Sequence, residues 1–374
     1  MTMRVTINAL QYKSNSSGIG VLLRELFGRL AKRLPCRVML PRDCPPFPEH
    51  AGSALVHAPF RTEQGLGRVL FQTFAMGPGY CRDAIVLTTD SKVPFFLPRS
   101  ARLVSVITDL AVFRMGDVYQ GSRVLLWRLQ YRYLCRRAEL FVAISDFTKR
   151  ELVDVLGIPA DKIEVVPCAA LDGMGRVEDQ RALAACRERY GLPRQFVLFV
   201  GNFNPRKNLE RLILAFNRMK AATGLPHALV IAGEHGWKFD RESALRGVDC
   251  ADQIRFIGFV PDEDMAALYS LAEAFTFPTL YEGFGIPVIE AQRCGTPVLT
   301  SNTSSLPEVG GDGAVYVDPR DEADIADGLA RVLTDEALRE RLVRAGYANA
   351  ERYSWDASAE KLETILKNRM MGGP

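Results

Sequence analysis

Short apolar runs recur along the whole chain, and the stretches between them carry apolar residues at helical spacing. Residues 5–10, 37–40, 54–58, 84–88, 103–107 and 140–144 read as buried strands. Helical patterns lie between several of them, for example over residues 20–34 and 122–138. Strand–helix alternation of this kind predicts a parallel sheet with helices on both faces. The pattern then restarts: residues 196–200, 228–232, 254–257, 274–277, 297–300 and 314–317 form a second set of strands, with a helix over 209–219 and others interleaved. Residues 166–194, which hold Pro167, Gly173, Gly175, Gly191 and Pro193, read as the linker between the sets. The last segment, 354–370, is amphipathic, with Trp355, Leu362, Ile365 and Leu366 on one side. It predicts a terminal helix docked on a domain surface.

Length agrees with this division, since 374 residues make two domains the first expectation. Hydrophobic residues are 48% and charged residues 24%, ordinary globular values. Lys plus Arg is 47 against 44 Asp plus Glu, a net charge of +3, too small to suggest a nucleic-acid partner. The 8 cysteines are scattered without CxxC spacing, which argues against a zinc site and for reduced thiols in a cytosolic chain. The first residues do not read as a signal peptide, and no apolar run approaches the roughly 20 residues of a membrane span. A cytoplasmic protein, soluble or peripheral at the inner face of the membrane, is expected. Ligands of doubly wound sheets bind outside the carboxyl ends of the strands, so candidate chemistry is sought there.

Residues 276–300 are the most informative. A strand ends near Pro278, a loop with Glu282, Gly283 and Gly285 follows, Pro287 falls in the first turn of a short helix, and Gly295 ends it. A strand, a glycine loop and a helix N-terminus present unpaired backbone N–H groups to which a diphosphate is the natural ligand. Glu282 and Glu290 flank the turn. A carboxylate repels a diphosphate, so these side chains suit ribose and sugar hydroxyls. Spacing alone equally allows solvated helix-end charges.

This stretch closely resembles the signature of retaining glycosyltransferases of family four, which have the GT-B fold: an α/β architecture of two doubly wound Rossmann-like domains facing across a cleft. Tyr281-Glu282-Gly283-Phe284-Gly285, Glu290-Ala291 and Cys294-Gly295-Thr296-Pro297-Val298 carry the likeness. It extends to Val200 through Leu209, to Leu306-Pro307-Glu308, to Gly18-Ile19-Gly20 and, more loosely, to Thr108-Asp109-Leu110 and Ile144 through Lys149. The domains implied are an N-terminal acceptor-side domain over 1–175, a nucleotide-sugar-binding domain over 176–352, and a C-terminal helix, 353–374, packing back on the N-terminal domain.

The resemblance implies roles for particular residues. Lys207 is the cation on the donor diphosphate, with Arg206 beside it. Glu282 holds the donor sugar near the reaction centre, and Glu290 accepts from the ribose hydroxyls. Gly283, Phe284 and Gly285 offer backbone N–H groups, and Gly18 and Gly20 close over the diphosphate. Phe259 and Val260 hold the base through their backbone. Asp109 is a further catalytic candidate, with a cap or a core hydrogen bond as its alternative. The sequence departs from the family at two places: Asn202 stands where many members have Arg, and Thr108 where they often have His. Arg206 is the candidate to supply the missing guanidinium at Asn202. His57, after the third strand, reads first as structural.

Retention of configuration is implied, with the departing phosphate deprotonating the acceptor. The expected partners are a GDP- or UDP-sugar donor, mannose being the favoured sugar, and a glycan or lipid-linked acceptor in polysaccharide biosynthesis; no cofactor is implied. Asp262-Glu263-Asp264 matches a metal-binding Asp-x-Asp pattern, yet opens a helix after Pro261, and helix capping is the better reading. The aromatic and basic stretch 124–133 suits either a core-facing helix with snorkelling arginines or peripheral membrane contact. Three other functions compete. A nicotinamide-dependent dehydrogenase needs a third glycine that neither Gly18-Ile19-Gly20 nor Gly283-Phe284-Gly285 has. A phosphorylase on a related frame is nearer, and a non-catalytic sugar-nucleotide-binding protein would not need the ionised set Lys207, Glu282 and Glu290.

Overall fold

The computed structural model describes residues 4–12, 18–44, 53–61, 65–90, 92–116, 121–234, 236 and 239–370. The chain forms two compact units. The first is Met1–Cys168 together with Ser354–Pro374, and the second is Ala169–Tyr353.

The first unit is built on a seven-stranded parallel sheet. Its strands are β1 (Arg4–Asn8), β2 (Cys36–Leu40), β3 (Ala54–His57), β4 (Ala84–Thr89), β5 (Arg102–Ile107), β6 (Ala138–Ala143) and β7 (Ile163–Val165), in the order β3-β2-β1-β4-β5-β6-β7. The second unit holds a six-stranded parallel sheet of β8 (Phe196–Val200), β9 (Ala228–Ala232), β10 (Ile254–Gly258), β11 (Ala274–Phe277), β12 (Val298–Ser301) and β13 (Ala314–Val317), ordered β10-β9-β8-β11-β12-β13. In each sheet the order reverses beside the first strand, between β1 and β4 and between β8 and β11. This is the switch point at which doubly wound sheets bind ligands.

The central strands are near-continuous apolar runs because helices cover both faces. Every residue of β4 and of β9 is buried. The helix Leu209–Thr223 buries Leu209, Leu212, Ile213, Phe216 and Met219 at helical spacing, packs against the helix Glu322–Thr334 and ends on Gly224, whose φ of 65° is the left-handed stop.

Two elements differ from the sequence pattern. β7 is a three-residue strand with Glu164 at its centre, too short and too polar to register. The stretch expected as linker contains the helix Gln180–Arg189, whose N-cap Asp179 accepts from Arg181 N at 2.9 Å; Cys186 is its one buried side chain.

The helix Trp355–Met370 completes the first unit. It buries Trp355, Ala359, Leu362, Leu366 and Met370 and packs on the helical run of residues 23–33. Arg29–Asp356 at 2.9 Å and Arg33–Glu363 at 2.6 Å fasten it, and Ser358 Oγ donates to Pro167 O at 2.7 Å.

Candidate active site

The turn after β8 is shaped by glycine. Gly233, after β9, has φ +143°, and a Cβ there would stand 2.1 Å from Gly201 O. The two strand ends therefore meet backbone to backbone. Pro205–Lys207 then form a single 3-10 turn, and Asn208 follows in the left-handed region at φ 59°. The Asn208 side-chain amide donates to Pro278 O at 2.9 Å and Pro319 O at 2.6 Å, pinning the turn to the segments beyond β11 and β13.

Adjacent residues on an α-helix point apart, whereas this turn sends Arg206 and Lys207 to one target. Arg206 Nη1 donates to Glu282 Oε2 and Lys207 Nζ to Glu282 Oε1, each at 2.9 Å. Arg206 Nη1 also reaches Tyr281 O at 2.9 Å, and Lys207 Nζ lies 4.5 Å from the centre of the Phe277 ring. Burial pushes the Glu282 carboxyl up, but the charges of Arg206 and Lys207 outweigh it and hold the group below the usual carboxylate range. Glu282 is therefore ionised at neutral pH and shared between two cations.

The loop that carries Glu282 is fixed from the segment after β12. Ser304 Oγ accepts from Glu282 N at 3.1 Å, and Ser305 Oγ lies 2.9 Å from Glu282 O and 2.7 Å from Phe284 O. Gly285 has φ +106°, and a Cβ on it would meet Leu306 Cδ2 at 2.7 Å. Only glycine turns the chain here into the helix Ile286–Arg293. Phe284 is buried edge-to-face against Tyr353, with ring centres 5.4 Å apart.

Glu290 lies within that helix and is itself buried. Burial raises its carboxyl to about 7; a hydrogen bond from Tyr269 OH to Oε2, 3.0 Å, opposes the rise, and the charge of Asp262 adds to it. Tyr269 is wholly buried, and its carbonyl accepts from Thr296 Oγ1 at 2.7 Å. Sequence reasoning passed over Tyr269, because an aromatic residue at a core position of Asp262–Leu271 looks like packing alone.

The other sequence-derived candidates are placed as follows. Asn202 follows β8, is exposed, and makes no side-chain hydrogen bond among the described residues. After β10, Phe259 is 46% exposed and Val260 is buried. Gly283 follows Glu282 directly. All of these belong to the second unit. Gly18, Gly20 and Asp109 belong to the first: both glycines lie in the helix Gly18–Leu22, and the Asp109 carboxylate accepts from Ala111 N at 3.0 Å. His57 Nδ1 lies 3.1 Å from Pro41 O, a structural tie.

Two further findings concern acids. Asp262, Glu263 and Asp264 occupy the first turn of the helix Asp262–Leu271, after Pro261, where acids suit the helix dipole, and Asp264 also pairs with Arg189 Nη1 at 2.6 Å and accepts from Tyr190 OH at 2.5 Å. Asp90, after β4, was not singled out by the sequence. Its φ is 48°, and its carboxylate accepts from Thr108 N at 2.8 Å and Thr108 Oγ1 at 2.9 Å. Burial and the charge of Asp109 raise it to about 7 against those donors. Thr108 thus has a partner of its own in the position where a histidine is common.

Two doubly wound units, the second carrying a lysine–arginine turn beside a glycine loop and a helix N-terminus, offer groups that suit an anionic ligand. The comparisons specify the class. A family model described as Glycosyl transferases group 1 matches residues 187–349, and one described as Glycosyltransferase Family 4 matches residues 16–170. The chain belongs to this glycosyltransferase family. O-antigen chain mannosyltransferase B of Escherichia coli is 34% identical over 269 residues, covering 70% of this chain and 69% of that protein. Serotype-specific mannosyltransferase WbdA of Escherichia coli is 33% identical over 231 residues, 60% of this chain but only 28% of that longer protein. Among solved structures, sucrose-phosphate synthase from Thermosynechococcus elongatus matches with a TM-score of 0.78 at 19% identity, over 99% of this chain and 100% of that one. The fold is GT-B.

Proposed function

We propose that this glycosyltransferase moves a mannosyl group from GDP-mannose to a glycan or lipid-linked acceptor in polysaccharide biosynthesis, with retention of configuration and without a metal ion. The observation that carries the reading is the sharing of one buried carboxylate, Glu282, between Lys207 and Arg206 at the strand ends of the second unit. The choice of mannose is supported by the mannosyltransferases that the chain resembles.

A donor diphosphate brings its own negative charge to Lys207 and Arg206. Glu282 is then free to accept hydrogen bonds from sugar hydroxyls, while the two cations stabilise the charge that grows on the leaving diphosphate. In the step itself the acceptor oxygen bonds to the anomeric carbon, the bond from that carbon to the phosphate oxygen breaks, and the acceptor proton passes to the departing phosphate. Bond making and breaking on one face retain the configuration. Glu290 accepts from the ribose hydroxyls, the backbone of Gly283, Phe284 and Gly285 serves the phosphates, and Phe259 and Val260 serve the base. Asn202 flanks the turn, with Arg206 supplying the second cation. Gly18, Gly20 and Asp109 keep their family roles on the phosphates and the sugar. Peripheral contact with the cytoplasmic membrane face, through residues 124–133, belongs to the same reading.

The test is thermal stabilisation by nucleoside diphosphates and nucleotide sugars in the presence of a chelator. A shift with GDP and GDP-mannose, lost in Lys207→Ala and Glu290→Ala, supports the proposal. A shift confined to uridine nucleotides replaces the donor. Shifts that require a divalent cation overturn metal independence. Product anomeric configuration, read by proton NMR, decides retention.

A further inference from the structure

The first sheet reverses its strand order between β1 and β4, and the polar side chains at those strand ends are largely spent on one another. Asn8 Nδ2 donates to Lys92 O at 2.8 Å and to Thr88 Oγ1 at 3.3 Å, and Gln11 Nε2 donates to Thr89 Oγ1 at 3.1 Å. Asp90 is fixed differently. Its backbone is pinned: its N–H donates to Val106 O at 2.8 Å, Ser105 Oγ donates to its carbonyl at 2.8 Å, and its φ is 48°. Thr108 N and Thr108 Oγ1 both converge on Oδ1, at 2.8 Å and 2.9 Å. Oδ2 has only a 3.1 Å contact with the same hydroxyl among the described residues.

A carboxylate is the wrong group for this place if its work is structural. Asp109 is the like charge that faces it, and burial with that charge raises Asp90 to about 7. Lys92 is the cation that opposes them, and its own charge is disfavoured by burial and by Arg68. Asparagine would accept both Thr108 hydrogen bonds through its amide oxygen. It would take the left-handed backbone as readily and would not repel Asp109. Asp90 therefore lowers the stability of the first unit once it ionises, a cost that packing does not explain and that ligand binding does.

An ionised carboxylate with an oxygen to spare suits O–H donors. The hydroxyls of a sugar supply them without adding charge. A phosphate would add its own negative charge to those of Asp90 and Asp109, while Lys92 already faces Asp90. Thr108 commits its hydroxyl to Asp90, so the carboxylate is the group offered to a ligand. We propose that Asp90 recognises the acceptor, and that the acceptor presents to it the vicinal hydroxyls of a neutral sugar rather than a phosphate. The proposal rests on the glycosyltransferase reading above and narrows its acceptor. The preceding reaction must then leave a chain that ends in a neutral sugar. Recognition follows the ionised form and strengthens as pH rises through 7, while the stability of the first unit falls over the same interval.

The test is a ligand-observed NMR titration of the full chain, with and without GDP, about one unit below and above pH 7. The probes are the methyl glycosides of mannose, glucose and galactose and the matching glycosyl 1-phosphates. At least one neutral glycoside should bind, more tightly at the higher pH, and more tightly than its phosphate. Asp90→Asn should weaken that glycoside about tenfold or more at the higher pH, as expected for a lost charge-assisted hydrogen bond. It should also abolish the pH dependence and melt above wild type, a gap that closes as pH falls towards the ordinary carboxylate range. Thr108→Val, which removes a donor opposing the rise, should move the pH dependence upward. No neutral glycoside bound, a phosphate bound more tightly than its glycoside, or affinity unchanged in Asp90→Asn overturns the proposal. So does a variant that melts lower and binds weaker by one factor at both pH values, because Asp90 would then be structural. Glycoside binding that depends on Asp90 in a chain no nucleotide stabilises would instead sink the donor reading and leave this assignment standing.

Discussion

Replacing Glu282 by Gln removes one charge and almost no volume, so its effect isolates the electrostatics of the shared carboxylate. The side chains of Glu282, Lys207 and Arg206 are 8%, 12% and 20% exposed, and both contacts are 2.9 Å. A unit pair in such a partly screened place interacts by about 4 kcal/mol at 4 Å, and removing one partner of a buried pair costs about 3–5 kcal/mol. The cations keep some access to water, which places the loss near the low end, about 3 kcal/mol. For a unit of this size that is a fall in melting temperature of roughly 6–12 °C. Because the Glu282 carboxyl is held below its ordinary range, its contribution is present above that range and disappears as pH falls through the depressed value. Wild type and variant should therefore converge in acid. The opposite sign is expected for ligand binding. Two cations without their carboxylate bind a diphosphate at least as tightly as before, so the stabilisation by nucleoside diphosphate should grow while sugar transfer falls. Scanning fluorimetry with and without nucleotide, alongside a turnover assay, reads both quantities. A variant that melts with the wild type and binds nucleotide more weakly would refute the reasoning, because Glu282 would then neither neutralise the cations nor compete with phosphate.

The Glu290 carboxyl is raised to about 7, so the stability of the second unit should decline as pH rises from the ordinary carboxylate range through 7, and on the proposed ribose-binding role of Glu290 nucleotide affinity should rise over the same interval. Tyr269→Phe removes the hydrogen bond that opposes the rise and should move the affinity midpoint upward in a titration, while Glu290→Gln should flatten it. Gly233→Ala forces a Cβ to within 2.1 Å of Gly201 O at a φ of +143°; strain of about 1–3 kcal/mol plus displacement of the Pro205–Lys207 turn should appear as lost stability in urea and lost transfer together. Leu362→Ala in the terminal helix should destabilise the first unit by about 2–5 kcal/mol, measured by hydrogen exchange of β1 and β4, without weakening nucleotide binding.

What the sequence revealed follows from how much of each element's environment is local. β4 and β9 are visible because total burial on both faces leaves an unbroken apolar run. β7 is not, since Glu164 interrupts its three residues, and the helix Gln180–Arg189 buries too little to show a period. The Glu282 loop is legible because glycines, prolines and acids at fixed offsets carry their own geometry. The convergence of Arg206 and Lys207 on one carboxylate needed the 3-10 turn, at which Pro205 hints without fixing its outcome. Tyr269 and Asp90 were out of reach for another reason. Their partners, Glu290 and Thr108, are 21 and 18 residues away, so only the folded sheet pairs them.

The helix Trp355–Met370 gives the first unit a discontinuous chain, with the whole of Ala169–Tyr353 intervening. During synthesis, therefore, the second unit leaves the ribosome before the first can bury residues 23–33 under the helix Trp355–Met370. The second unit's chain is complete before the first's. Until the last helix docks, the apolar face of residues 23–33 stays uncovered. In that interval the face of residues 23–33 is the surface of the first unit most open to chaperones and proteases.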